Sequence, residues 1–132
     1  MTTWKHHEQL WFFLYCIFIV AVLVVADLGL MPNISALLQG YSGLDKVGHS
    51  ILVGILAWLF NSAFLLGQFN LGGLRVFIGT IVVVTVVTFE EVAQLWIYTR
   101  RFELIDLLAG YLGIATADIA LRCKSLLGKV RI

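Results

Sequence analysis

An all-α fold, an integral membrane four-helix bundle, follows from three features of the 132-residue sequence. Hydrophobic residues make up 61% of it and charged residues 13%, which leaves too little polar surface for a domain dissolved in water. The apolar residues fall into four runs, each near the ~20 residues a helix needs to cross a bilayer. No strand-like alternation is read between them, and lipid admits only helices or closed barrels, which four such runs cannot build. The chain therefore reads as one domain, residues 1–132.

The first run covers residues 10–30, after a short segment containing Lys5. It is too long for a signal-peptide core and has no convincing small-residue cleavage site, so it reads as a retained span. The second covers residues 47–66, the third 72–96 and the fourth 104–121. Between them stand Pro32 and Asn33, then Gly40 to Gly43, then Gly67 to Gly73, then Thr99 to Arg101, residue types that reverse the chain. The β-branched stretch 81–87 would suit a strand in water, but in lipid the environment makes it helix. Cys16 lies within an apolar run and Cys123 beside a basic tail, which argues against a framework disulfide.

Lys and Arg orient the bundle, because cytoplasmic loops hold an excess of them. Lys5, Arg75, Arg122, Lys124, Lys129 and Arg131 share one side with both termini, whereas Lys46, Arg100 and Arg101 share the other. The expected arrangement thus has cytoplasmic N- and C-termini. A net charge of +1, with basic residues scattered among span ends, offers no concentrated face for nucleic acid.

The other ionisable residues converge on the opposite, outward side: Asp45, Lys46 and His49 open the second span, Glu90, Glu91 and Gln94 close the third, and Glu103 and Asp106 open the fourth. Asp27 ends the first span on the same side. At ~1.5 Å per residue, Glu91 and His49 lie within their spans rather than in loops, where ionisable groups face the bundle interior and pair. Asp45 and His49, four apart, share one helix face, and Glu91 and Gln94, three apart, share another. Asp106 continues into Gly110, Gly113 and Ala117, a stripe of small residues that lets the fourth helix approach the second or third closely. At the other end of the fourth span Asp118 is placed to pair with Arg122. His6 and His7 lie on a solvated tail without the further ligands a metal would need.

Three motifs in order, Asp45-Lys46-x-x-His49, then Glu90 followed by Glu91-x-x-Gln94, then Arg100 and Asp106 at six-residue steps with Gly113 beyond, resemble the VanZ-like membrane proteins. That family is named for an accessory factor in teicoplanin resistance. The resemblance covers residues 45–113. Gly110 departs from it, standing where the family often carries Asn or Asp, as does Val53, where an aromatic often follows the His motif. The resemblance implies an outward-facing polar site serving cell-envelope chemistry in the bacterial cytoplasmic membrane.

The residues themselves suggest how such a site would work. Imidazole exchanges protons near neutral pH, so His49 and Glu91 form the candidate catalytic pair, oriented by Asp45 and Asp106. Lys46, Gln94, Arg100 and Arg101 are the candidate substrate ligands, since Arg grips phosphate through a planar fork and Lys supplies a point charge. The expected partner is a membrane lipid, either a phospholipid or a polyprenyl-linked glycan. No cofactor is expected; a divalent cation held by Asp45, His49, Glu91 and Asp106 is disfavoured by the basic residues beside them. No nucleophile motif or phosphate loop is present, which removes triad hydrolases and nucleotide-binding enzymes. An envelope enzyme, a non-catalytic envelope or antibiotic-resistance accessory protein, an assembly subunit of a larger membrane enzyme and a homo-oligomer all stay compatible with the residues.

Overall fold

The computed structural model describes residues 3–28, 43–64, 67–98 and 102–130. Helix α1 spans Thr3–Asp27 and α2 spans Leu44–Phe64. Strands β1, Gln68–Leu71, and β2, Leu74–Phe77, pair antiparallel. Helix α3, Ile78–Ala93, tightens into a 3₁₀ turn over Gln94–Trp96, and α4 spans Leu104–Val130. Four stretches, His6–Ala26, Leu44–Phe64, Ile78–Trp96 and Leu104–Leu126, are long and apolar enough to cross a membrane.

Helix α2 is the hub, packing against α1, α3 and α4, most extensively against α4. The reason is steric. A Cβ on Gly113 would strike the Ser50 carbonyl oxygen, and one on Gly54 would come within 2.9 Å of the Gly113 carbonyl oxygen. Two glycines therefore let the α2 and α4 backbones touch, the close approach expected of the small-residue stripe, with α2 rather than α3 as the nearer partner. Around this seam lie Val53, Ala57, Val83, Val87, Leu107, Ile114 and Ala117, the apolar core. Helix α1 is peripheral: it docks on α2 through Phe12, tilted against Phe60 and edge-on to Phe64 with centroids 5.1 and 5.2 Å away, and through Tyr15, whose hydroxyl donates to the Leu52 carbonyl at 2.8 Å.

Two expectations are corrected. The third span does not begin at residue 72, and the chain is not without strands. Gly72 and Gly73 both take positive φ, 56° and 95°, the backbone of a two-residue hairpin turn, so residues 68–77 fold back on themselves before α3 begins at Ile78. The Ile78 N–H donates to the Gly67 carbonyl at 3.2 Å and closes the hairpin base. Leu74, Val76 and Phe77 are apolar enough to merge with the following span on hydropathy alone, which is why the run from residue 72 reads as one.

Candidate functional site

Where the first turns of α2 and α4 meet the last turn of α3, most of the expected residues come together. Lys46 reaches across from α2 to α4, its Nζ donating to Asp106 Oδ1 at 2.8 Å and to Glu103 Oε2 at 2.7 Å, with Asp45 Oδ2 at 3.4 Å. Parallel packing of α2 and α4 over the glycine seam sets this register. The ammonium is thereby engaged by three carboxylates, so Lys46 serves the protein's own acids at the position where a substrate anion was expected.

Glu91 is 1% exposed and Gln94 4%. Gln94 Nε2 donates to Glu91 Oε2 at 3.1 Å and to Glu90 Oε1 at 3.0 Å, and the Glu103 backbone N–H donates to Glu91 Oε1 at 3.4 Å. Glu91 thus ties the end of α3 to the start of α4, and Glu103 joins this group to the lysine cluster. The sequence places Glu103 only as one of the two acids that open the fourth span; the fold makes it the bridge. Arg100 and Arg101 lie outside the described residues, and so does the side chain of Asp27.

His49 behaves differently. Its Nε2 is buried and has no hydrogen-bond partner among the described residues. The atom faces Gly110, where an added Cβ would sit 3.3 Å away. Glu91 accepts from Gln94 and Glu103 instead, so no hydrogen bond to His49 Nε2 completes the expected acid–base pair. The imidazole lines a cleft of about 420 Å³ between α1, α2 and α3. Ile19, Leu23, Leu52, Leu56 and Val86 supply apolar wall, while Asp45, His49 and Glu90 supply the polar groups. Among the described residues no three His, Cys, Asp or Glu side chains converge in a geometry that would hold a metal ion.

A second polar cluster lies at the hairpin end of the bundle, so charge does not gather at one end alone. Asn61 Nδ2 donates to Thr80 Oγ1 at 3.0 Å, Thr80 Oγ1 donates to Asp118 Oδ1 at 2.9 Å, and Arg122 closes on Asp118 Oδ2 at 2.8 Å. The Asp118–Arg122 pair is the one expected from their spacing. Arg122 also donates to the Arg75 carbonyl and stacks 5.7 Å over the Phe77 ring, fastening the hairpin to α4. Asn61 and Thr80 were not singled out from sequence, although an amide inside an apolar span, which must find a partner there, was the available signal.

No family model, curated protein or solved structure matches the chain.

Proposed function

We propose that this is a VanZ-like multi-pass protein of the bacterial cytoplasmic membrane, with cytoplasmic termini, which binds a lipid or polyprenyl-linked glycan at its outward end. The observation that carries the reading is the cleft beside His49. Its walls are apolar over the depth of two helix turns and its polar groups gather at one end, which is the division an amphiphile requires. A hydrocarbon chain would lie against Ile19, Leu52 and Val86, with the head group beside Asp45, His49 and Glu90. Imidazole and carboxylates suit the hydroxyl and amide groups of a sugar; Arg100 and Arg101, six and five residues before Asp106 in the sequence, would supply phosphate ligands.

Binding is favoured over catalysis because the expected acid–base pair is not joined: Glu91 accepts from Gln94 and Glu103, with no hydrogen bond from His49 Nε2 among the described residues. The catalytic reading rests on one feature, the buried His49 Nε2, which has no hydrogen-bond partner among the described residues. The two separate experimentally. Lipid carried through purification is extracted and identified by mass spectrometry for the parent, His49→Ala and Asp45→Asn proteins, and turnover of each identified lipid is then assayed. The binding reading expects both variants to lose the lipid and the parent to release no product. Product formed by the parent and abolished in His49→Ala establishes the enzyme instead. Equal lipid in all three proteins removes the site, and stoichiometric co-purification of another membrane protein would support an assembly subunit.

A further inference from the structure

The hairpin has two chemically different faces. Directly paired residues of an antiparallel ladder project to the same side, and alternate residues to opposite sides. The pairs Phe69–Val76 and Leu71–Leu74 therefore form one face, entirely apolar, and Gln68–Phe77 and Asn70–Arg75 form the other. The apolar face is not packed on the bundle: Phe69 is 53% exposed, Leu71 61% and Leu74 71%. Three large side chains held open on a four-residue strand pair would cost stability in water, and nothing in the turn chemistry requires them, since Gly72 and Gly73 make the reversal unaided.

The chain passes from Phe77 into α3 without a linker, so the hairpin is joined directly to a helix whose Ile78, Ile81 and Val82 are also exposed and apolar. Its base is fixed at Gly67–Ile78 and by Arg122 on the Arg75 carbonyl. The exposed Arg75 lies on the polar face, and the exposed Lys124 belongs to the same end of the bundle, so basic groups stand where lipid phosphates would meet them. We propose that the hairpin is a membrane-interface anchor, lying along the bilayer surface with Phe69, Leu71, Leu74 and Val76 against the acyl chains and Asn70 and Arg75 at head-group level. Such a two-faced segment is the strand counterpart of an interfacial amphipathic helix. The inference rests on the four helices being membrane spans, but not on the identity of any ligand.

The test compares nitroxide labels at Leu71→Cys and Asn70→Cys, each in a Cys16→Ser, Cys123→Ser background reconstituted in phosphatidylcholine vesicles. Collision with oxygen reports lipid, and collision with a nickel chelate reports water. The oxygen-to-nickel ratio is expected to be at least about threefold higher at Leu71 than at Asn70. Equal ratios overturn the proposal, whether both labels are wet, as in an upright hairpin, or both dry. A label at Val82→Cys, in the exposed face of α3, is a control: if it too is wet, the spans themselves are misread, a failure distinct from that of the hairpin alone. Leu74→Cys and Arg75→Cys repeat the comparison on the other strand should either first variant fail to give the parent circular dichroism.

Discussion

The two polar clusters at opposite ends of the bundle are built to different rules. At the hairpin end, Asn61, Thr80, Asp118 and Arg122 form a chain in which a single acid faces a single base, although the buried Asn61 Oδ1 has no partner among the described residues. At the other end three acids, Asp45, Glu103 and Asp106, share Lys46, Glu91 and Glu90 accept from Gln94, and a buried imidazole nitrogen has no partner among the described residues. The hairpin-end chain crosses α2, α3 and α4 and holds them together. Each end leaves one buried polar atom without a partner among the described residues, Asn61 Oδ1 against Gly79 and His49 Nε2 against Gly110, so what separates the ends is the balance of acids to bases and the apolar cleft that His49 lines.

Both ends depend on the glycine seam, so breaking it has the largest effect. Gly113→Val forces α2 and α4 apart at the Ser50 carbonyl and is expected to cost about 3 kcal/mol in reversible unfolding in mixed micelles, loosening both clusters together. A cost below about 1 kcal/mol would mean that the helices do not touch there. Next comes the closed end: Asp118→Ala strips Arg122 and Thr80 of their acceptor and is expected to cost about 2 kcal/mol while leaving lipid retention unchanged. Loss of lipid in that variant would erase the contrast between the ends.

The oversupplied end should respond less and in a coupled way. Lys46→Met leaves Asp45, Glu103 and Asp106 facing one another and is expected to cost about 1 kcal/mol, since these groups are partly exposed. Adding Asp106→Asn should recover about half of that loss by removing one of the clustered charges. If the double variant is instead less stable by the sum of the two single effects, Lys46 and Asp106 do not act as a pair.

How much of this was legible beforehand depended on what each feature needed. The spans needed only runs of apolar residues, and Leu44–Phe64 and Leu104–Val130 begin within three residues of the expected starts. The hairpin was hidden because Phe69, Leu71, Leu74 and Val76 raise local hydropathy, although Gly-Gly between two short alternating segments is itself a hairpin signal. Within the site, the Asp45–His49 and Glu91–Gln94 pairings follow from helical spacing. That Lys46 turns to Asp106 and Glu103, and that Glu91 receives the Glu103 N–H, depends on how α4 is rotated against α2 and α3, which no spacing within one helix contains. Asn61 and Thr80 escaped notice because single uncharged polar residues barely alter an apolar run, whereas their partners are set by depth across three helices.

The proposal that the cleft beside His49 takes a lipid is tested most directly at His49, with stability and bound lipid measured on the same preparation. In delipidated mixed micelles, where bound ligand does not stabilise the protein by mass action, His49→Leu removes a buried atom with no hydrogen-bond partner among the described residues and should leave stability unchanged or raise it. The same variant, purified from membranes, should lose the co-purifying lipid. A His49→Leu protein that is destabilised yet retains its lipid at the parent level would contradict the proposal and make His49 part of the scaffold.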